Sequence, residues 1–516
     1  MAALKNPWLA LVLSAVSGVG GYFAFKPAGL WYLAPLALVG LYLALTDGGF
    51  LRSYLNGLVF ALAQFLPMLT WAYNAAGLLP YLALAVASGL LLAIGPAAYG
   101  CIRFLWQNHW RQNHWLDAAA FAVTLAAADT LRSFVPFGGF PWGRVAFSQT
   151  DGPMLRWAWL GGAPLTGLAV AFVAGLAVAA VRLAFDRRFA ACLIGAAGAL
   201  LLVAGPVLFP ISSNAEQGSL RVAAIQGNVH VTAEGLFAQQ REVLENHVGE
   251  TERLMARPGV LPVDLVVWPE NSTDIDPRED AEAGAAIDRA AESAKAPILV
   301  GAMRYLPDKH RYNQALLWQA GQGVLELYSK RHPAPFAEYM PARSFFRLFT
   351  SKVDLISTDM LPGDRVGIFQ LNGGVAGREV LVGDVICFEV AYDSVVADTV
   401  DHGAEVIMVQ TNNASFGMSE ESTQQFAMTR LRAVEFGRAT LQISTVGVSG
   451  AVAPDGSLLT PMTGLFEAGS FVVDMPLRTS LTPAVVIGPL TTWILLVLGA
   501  VVTVVGLGGR MMARFT

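Results

Sequence analysis

The chain contains 516 residues, of which 54% are hydrophobic and only 14% are charged. Soluble proteins of this length carry a much larger share of charged residues, so the composition indicates a membrane protein. The net charge is -5 at pH 7, and no run of lysine and arginine forms a basic patch. We therefore expect no nucleic-acid partner.

Hydrophobic windows long enough to cross about 30 Å of hydrocarbon lie on both sides of a charged centre. They predict about eight membrane-spanning helices, at residues 8–25, 30–45, 55–73, 78–104, 116–131, 160–185, 190–211 and 484–508. The charged residues are concentrated between residues 220 and 475. The predicted domains are therefore seven spans in residues 1–215, a folded domain in residues 216–478, and an eighth span with a tail in residues 479–516.

The short loops between the windows orient the chain in the membrane. With the amino terminus in the cytoplasm, the larger set of basic residues lies inside: Lys5, Arg52, Arg103, Arg111, Arg182, Arg187, Arg188, Arg510 and Arg514. A smaller set lies outside: Lys26, Arg132, Arg144 and Arg156. Since cytoplasmic loops are enriched in lysine and arginine, we expect a multi-pass protein of the cytoplasmic (inner) membrane. Its folded domain would be extracytoplasmic, or periplasmic.

The folded domain alternates between strand-like and helical hydrophobic patterns. Strands are predicted at residues 220–225, 264–268, 298–302, 315–318, 324–328, 380–386, 405–410 and 441–448, and helices at 236–255, 281–294 and 423–439. Gly321-Gln322-Gly323 and Pro454-Asp455-Gly456 mark hairpin turns between strands. This alternation is typical of an α/β domain in which helices cover a sheet.

Three predicted strands each end in a reactive side chain: Glu270, Lys330 and Cys387. Of the three cysteines, Cys101 and Cys192 lie in apolar runs, so Cys387 has no partner for a disulfide within its domain and is a candidate nucleophile. A thiol needs a base to become a thiolate, and acyl transfer needs a positive or hydrogen-bonding group at the oxyanion. A carboxylate, an ammonium group and a thiol supply these three parts.

The segments around these residues resemble the three catalytic blocks of the nitrilase superfamily. The blocks are Trp268-Pro269-Glu270-Asn271, then Tyr328-Ser329-Lys330-Arg331-His332 with Pro335-Phe336-Ala337-Glu338-Tyr339, and Ile386-Cys387-Phe388-Glu389. With membrane spans on both sides, the chain is similar to the apolipoprotein N-acyltransferase branch of that superfamily. The resemblance also covers Phe140-Pro141-Trp142, Ser148-Gln149-Thr150-Asp151-Gly152-Pro153, Gln226-Gly227-Asn228, Thr411-Asn412-Asn413-Ala414-Ser415-Phe416-Gly417 and Leu431-Arg432-Ala433-Val434-Glu435. It therefore extends over nearly the whole chain.

The resemblance implies an αββα sandwich and a role for each site residue. Glu270 matches the general base, Lys330 the cation that stabilises the oxyanion, and Cys387 the nucleophile that becomes a thioester. Glu338 and Glu389 match supporting acidic residues, and the backbone N–H of Phe388 is a natural second oxyanion donor. The sequence departs from the family at Phe388, where tyrosine is common, and at Ala337, Asn413 and Ser415, where glycine, aspartate and tryptophan are commoner.

The implied reaction is the last step of lipoprotein maturation, a ping-pong acyl transfer through a thioacyl-enzyme. A phospholipid in the bilayer donates the acyl chain, and the N-terminal amine of a diacylglyceryl-cysteine lipoprotein accepts it. We expect a monomer without a cofactor. The histidines show no metal-ligand spacing, so no metal is expected, and the lack of a Gly-x-Ser-x-Gly elbow argues against a serine hydrolase. The sequence leaves the substrate-binding residues unknown.

Two other functions are compatible with parts of the pattern. A membrane-tethered amidase or nitrilase could use the same triad on a small polar substrate, although it would not require eight spans. A non-catalytic scaffold or transporter with a decayed enzyme domain is disfavoured by the intact triad and by an expected lack of the paired intramembrane charges that are typical of a substrate path. The roles of Asp129 and Arg132 stay open between an ion pair for packing and part of a lipid headgroup site.

Overall fold

The computed structural model describes residues 6–45, 49–106, 113–229, 241–348, 350–372 and 377–512. The chain divides into two compact units. The first comprises Met1–Pro210 together with Thr482–Thr516, and the second comprises Ile211–Leu481.

The first unit consists mostly of helices. The second unit contains β-sheets together with its own helices, which cover them. Numbered along the chain, the helices of both units are α1 Pro7–Tyr22, α2 Leu33–Ala44, α3 Phe50–Met68, α4 Trp71–Ala76, α5 Leu78–Leu92, α6 Ile94–Trp106, α7 His114–Leu131, α8 Trp157–Phe185, α9 Phe189–Ala204, α10 Glu242–Met255, α11 Ala281–Ala294, α12 Arg343–Phe346, α13 Asp393–Asp401, α14 Glu421–Phe436 and α15 Pro483–Met512. The first unit contains α1 to α9 and α15.

Each of the eight predicted windows falls on helices of the first unit. Within the described residues, four helical stretches are long and apolar enough to cross a membrane: Leu78–Arg103, Pro153–Phe185, Phe189–Leu208 and Pro483–Gly508. Helices α1 and α2 are shorter apolar helices. The first unit is thus a bundle of apolar helices, and the number of spans stays a prediction.

A buried polar cluster joins four helices of this bundle around Asp117 on α7. Its carboxylate accepts hydrogen bonds from the hydroxyls of Tyr42 on α2 and Tyr99 on α6, at 2.8 and 2.7 Å. Arg182 on α8 donates at 2.6 Å, and Arg103 lies 3.6 Å away. The helices of this unit therefore contain paired charges that the sequence did not reveal. Because the cluster is internally paired and ties helices together, it serves packing.

Asp129 in the last turn of α7 and Arg132, which directly follows that helix, form a second ion pair, 3.0 Å apart. The Arg132 guanidinium also donates to the carbonyl oxygens of Phe140 and Trp142, each at 2.7 Å. The other Asp129 carboxylate oxygen accepts the backbone N–H of Val145 at 3.0 Å. The pair thus holds the loop that follows α7, and the geometry supports the packing alternative.

The second unit is built from two β-sheets. Its strands are β1 Ser219–Gln226, β2 Leu265–Val267, β3 Ile298–Tyr305, β4 His310–Gln319, β5 Gly323–Ser329, β6 Asp359–Met360, β7 Ile368–Leu371, β8 Val380–Ile386, β9 Val406–Thr411, β10 Ala439–Ser444, β11 Gly450–Val452 and β12 Gly469–Pro476. The first sheet has the order β12-β1-β2-β3-β4-β5, with β6 paired to β4. The second has the order β11-β10-β9-β8-β7.

The two sheets pack face to face, and helices cover their outer faces. Val222 and Leu299 of the first sheet and Val382, Met408 and Leu441 of the second belong to one buried core between the sheets. Helices α10 and α11 pack on the first sheet in a separate apolar core, and α13 and α14 lie against the second sheet. These four layers form the αββα sandwich that the resemblance implies.

Each of the three expected catalytic residues follows the carboxyl end of a strand. Strands β2 and β3 are parallel, and β5 runs in the direction of β3 because β3, β4 and β5 are joined by two antiparallel pairings. Glu270 and Lys330, which follow β2 and β5, therefore leave the first sheet at the same edge. Cys387 follows β8, a central strand of the facing sheet.

Candidate active site

Glu270, Lys330 and Cys387 meet in the second unit. The Lys330 Nζ lies 3.5 Å from Glu270 Oε1. The Cys387 thiol lies near enough to Glu270 for each group to shift the pKa of the other. Glu270 and Lys330 are buried, whereas Cys387 is partly exposed. The structure thus brings together a carboxylate, an ammonium group and a thiol.

The Glu270 side chain is fixed by hydrogen bonds from two directions. Asn313 on β4 donates its amide Nδ2 to Oε1 at 2.6 Å, and the backbone N–H of Asn412 donates to Oε2 at 2.8 Å. Gly301 on β3 permits the approach of this loop, because a Cβ there would collide with the Pro269 carbonyl oxygen. Burial raises the pKa of Glu270 and outweighs the opposing charge of Lys330. A raised pKa makes this carboxylate a stronger base than a solvated one.

Lys330 forms an ion pair with Glu338. Its Nζ lies 2.6 Å from Glu338 Oε1, and the other Glu338 oxygen accepts the backbone N–H of Ala334 at 2.6 Å. Burial alone lowers the pKa of Lys330, but the carboxylates of Glu338 and Glu270 outweigh it and raise the pKa. The residue therefore stays a cation, held between two carboxylates.

Cys387 opens a single turn of 3-10 helix directly after β8. Its φ of 56° lies in the left-handed region, which is rare for a residue with a side chain and recurs at active sites. The sulfur lies 3.3 Å from the Thr411 hydroxyl oxygen and 3.7 Å from the Gln425 amide nitrogen. Burial raises the pKa of the thiol, Glu270 raises it further, and Lys330 opposes both. Proton transfer to Glu270 is therefore needed to generate the thiolate near neutral pH.

Glu389 ties the ends of β5 and β8 together. Its carboxylate accepts the Tyr328 hydroxyl at 2.9 Å and the backbone N–H groups of Arg331, His332 and Ile386 at 2.7, 3.0 and 2.8 Å. The carboxylate is fully buried, and burial raises its pKa. Since Lys330 and Cys387 each adjoin one of these donors, Glu389 fixes the distance between them.

Replacing Glu389 by glutamine should destabilise the chain. An amide nitrogen would face N–H donors that now meet a carboxylate oxygen, so at least one buried donor loses its acceptor, at about 2–3 kcal/mol. The thermal unfolding midpoint in detergent should therefore fall by several degrees, whereas the exposed Glu292→Gln on α11 should leave it unchanged. Equal midpoints for the two variants would contradict the bracing role of Glu389.

Phe388 was expected to supply a backbone N–H to the oxyanion. Its ring packs edge to face against Tyr392, with centroids 5.4 Å apart, which anchors the turn that carries Cys387. The N–H assignment stays a prediction. Within the described residues, no group of three histidine, cysteine or acidic side chains is placed to hold a metal ion.

Several polar residues at the site were not identified from the sequence. Asn313 lies inside a strand with no motif around it, and Gln425 lies on a helix whose polar residues look like a solvated face. Thr411 and Asn412 fall in a recognised block, but the block alone does not reveal which atoms face the site. Tyr328 also falls in a recognised block, but the block does not reveal that its hydroxyl bonds Glu389. Their roles depend on pairings between distant segments, which the sequence does not show.

Comparison with known proteins gives the class of this fold and site. Residues 221–480 match the family described as carbon-nitrogen hydrolase, and residues 17–176 match the apolipoprotein N-acyltransferase N-terminal domain. The second unit is therefore a carbon-nitrogen hydrolase domain of the nitrilase superfamily. A solved amidase of Nesterenkonia AN1 from that superfamily covers 51% of this chain and 92% of its own, at 17% identity and a TM-score of 0.38, which adds nothing to the assignment.

Whole-chain relatives carry the assignment further. The apolipoprotein N-acyltransferase of Mycolicibacterium smegmatis is 35% identical over 526 aligned residues, covering 96% of this chain and 85% of the relative. That of Aquifex aeolicus is 28% identical, covering 86% of this chain and 94% of the relative. The chain belongs to the apolipoprotein N-acyltransferase family.

Proposed function

We propose that this chain transfers an acyl chain from a phospholipid to the N-terminal amine of a diacylglyceryl-cysteine lipoprotein, by a ping-pong mechanism with a Cys387 thioester. The observation that carries the proposal is the position of Glu270, whose carboxylate lies 3.5 Å from the Lys330 ammonium group and raises the pKa of the nearby Cys387 thiol. A base between a nucleophile and a cation is suited to acyl transfer, in which one proton moves twice and negative charge develops on one oxygen.

In the first half-reaction Glu270 takes the thiol proton, and the Cys387 sulfur bonds to the ester carbonyl carbon of the phospholipid. The carbonyl oxygen becomes an oxyanion, which the Lys330 ammonium and the Phe388 N–H stabilise. The carbon–oxygen ester bond then breaks, and Glu270 returns the proton to the departing oxygen. The products are a lysophospholipid and a thioester on Cys387.

In the second half-reaction the neutral α-amine of the acceptor attacks the thioester carbonyl carbon. Glu270, again ionised, takes a proton from the nitrogen, and the same two donors stabilise the second oxyanion. The carbon–sulfur bond breaks, an amide forms, and the proton on Glu270 returns to the Cys387 thiolate. The base therefore ends the cycle in the state in which it began.

The acyl-enzyme is directly observable by intact mass spectrometry. Purified full-length protein mixed with a defined phospholipid should gain the mass of one acyl chain on Cys387 and lose it when a diacylglyceryl-cysteine peptide with a free amine is added. Recovery of an N-acyl peptide supports the acyltransferase. Rapid loss of the adduct to water without the peptide would instead support the hydrolase alternative, and the lack of any adduct would contradict the thioester.

We also propose that the chain is a monomer of the cytoplasmic membrane with about eight spans and an extracytoplasmic second unit. The distribution of lysine and arginine among the short loops supports this orientation. In a Cys101→Ala/Cys192→Ala/Cys387→Ala background, cysteines placed at exposed Asp308 and Glu292 should react with a membrane-impermeant maleimide on intact cells or spheroplasts. A cysteine at Arg187 should react only after lysis, and the reverse pattern would overturn the orientation.

A further inference from the structure

A buried polar network contacts the sulfur of Cys387. Its contacts with the sulfur are the Thr411 hydroxyl from the end of β9 and the Gln425 amide from α14. The Thr411 hydroxyl also lies 2.8 Å from Gln425 Oε1. Neither residue has a role in the mechanism above, although both contact the atom that reacts.

The network fixes which end of the Gln425 amide faces the sulfur. Ser444 and Ser422 accept the backbone N–H groups of Gly447 and Val448, at 2.8 and 2.7 Å, and those N–H groups can only donate. Each serine hydroxyl still has its own hydrogen to donate, and Asn413 Oδ1 lies 2.6 and 3.3 Å from the two hydroxyl oxygens as the acceptor. This makes Oδ1 an acceptor and turns the amide nitrogen of Asn413 the other way.

Asn413 passes this orientation to Gln425. Its Nδ2 donates to Gln425 Oε1 at 3.0 Å and to Glu421 Oε2 at 2.6 Å. Gln425 Oε1 is therefore an acceptor, and its Nε2 points to the Cys387 sulfur. The orientations of both side-chain amides are thus assigned from a hydrogen-bond network that starts at backbone N–H groups, which can only donate.

We propose that Thr411 and Gln425 are a donor pair that binds the Cys387 thiolate, with Asn413 as the positioning residue that aims the Gln425 amide. The inference rests on the proposed function. When the thiol proton passes to Glu270, the sulfur gains a full negative charge while Gln425 already presents an N–H to it. The Thr411 hydroxyl can turn from Gln425 Oε1 to the sulfur. Both bonds become charge-assisted and stabilise the thiolate more than the thiol.

The ionisable groups around the sulfur stay the same in the variants that test this pair. They are Glu270 and Lys330 from the first sheet, Glu338 beside Lys330, Glu421 on α14, and Asp384 and Glu389 on the segment of Cys387 itself. Burial raises the pKa of Glu421 to about 8. These groups are present in the wild type and in every variant. A difference between the Cys387 alkylation profile of a variant and that of the wild type therefore reflects the loss of a donor.

The test is the pH dependence of Cys387 alkylation by iodoacetamide, followed by intact mass in the full-length Cys101→Ala/Cys192→Ala protein. Gln425→Met and Thr411→Val remove a donor while keeping a similar shape. Each should move the midpoint of the profile upward by about one pH unit and slow alkylation at neutral pH roughly tenfold. Thr411→Ser keeps the hydroxyl and should restore the wild-type midpoint.

Thr429→Val is the matched control, because Thr429 is a buried threonine on α14 whose hydroxyl bonds the Gln442 side chain at 2.7 Å and the Gln425 backbone carbonyl at 3.4 Å, and does not contact the sulfur. It should leave the alkylation midpoint unchanged, even if the unfolding midpoint falls. Unchanged alkylation midpoints in both Gln425→Met and Thr411→Val would overturn the donor pair, and if Gln425→Met does not fold, Thr411→Val decides. Failure of the proposed function would appear separately, as a wild-type protein that alkylates normally but forms no acyl adduct with phospholipid.

Discussion

Cys387→Ser should lower acyl transfer by on the order of 10⁴-fold or more, the scale seen when a catalytic nucleophile is removed. A serine hydroxyl ionises far less readily than a thiol, so the Glu270 carboxylate, which can deprotonate the thiol, is too weak a base for the hydroxyl. Intact mass after incubation with phospholipid should show no acyl adduct on this variant. Cys387→Ala should give the same result while keeping the unfolding midpoint close to that of the wild type.

The other two cysteines provide the control for this experiment. Cys101 is buried in α6 and Cys192 is partly exposed on α9, both in the first unit. Cys101→Ala and Cys192→Ala should therefore form the acyl adduct at the wild-type rate. Near-native acyl transfer by Cys387→Ser would exclude nucleophilic catalysis by this thiol, whatever the controls show.

The strands that carry catalytic residues were predictable because their hydrophobic runs end abruptly at a polar residue. The predicted strand at residues 380–386 and helix at residues 281–294 coincide with β8 and α11. Strand β12, by contrast, was missed, although it pairs with β1 along its whole length. Its partner strand lies more than 200 residues away in sequence. Most residues of β12 are only partly buried, so no strong hydrophobic pattern marks the strand.

Boundaries between adjacent elements were less predictable. The helix predicted to end at Ala439 ends at Phe436, because Gly437 takes a left-handed conformation and Ala439 begins β10. Residues 236–240 of another predicted helix lie outside the described residues, and its described part is α10. Local pattern identifies such elements, whereas the turn between them depends on the backbone conformation of one glycine.

The triad itself was predictable because each member stands in a short motif, but its electrostatics were not. From the sequence alone, Lys330 acts on the oxyanion and Glu270 on the thiol, so their variants would respond to pH independently. The 3.5 Å contact between Lys330 Nζ and Glu270 Oε1 couples the two roles. Removing the lysine therefore also changes the base, and this alters the pH dependence expected of the variant.

In Lys330→Met, the midpoint of the pH profile for thioester formation should move to higher pH, and the maximal rate should fall. In the wild type, burial raises the pKa of Glu270 and the charge of Lys330 opposes that rise. Without the lysine the pKa of Glu270 rises further, so the base is protonated up to a higher pH. As pH increases through that value, the carboxylate returns and the rate should increase. It should then level off ~10²–10³-fold below the wild type, since the missing oxyanion stabiliser does not return.

Glu270→Gln should respond to pH without a plateau. It has no carboxylate to recover, so the thiol must lose its proton to hydroxide, and the rate should rise about tenfold per pH unit until Cys387 itself ionises. Single-turnover acylation measured by intact mass between about pH 6 and pH 10 distinguishes the profile with a plateau from the profile without one. Glu292→Gln should follow the wild-type profile throughout. If Lys330→Met and Glu270→Gln gave the same unbroken slope, Lys330 would not be tuning the base, and if both were flat, Glu270 would not be the group that deprotonates Cys387.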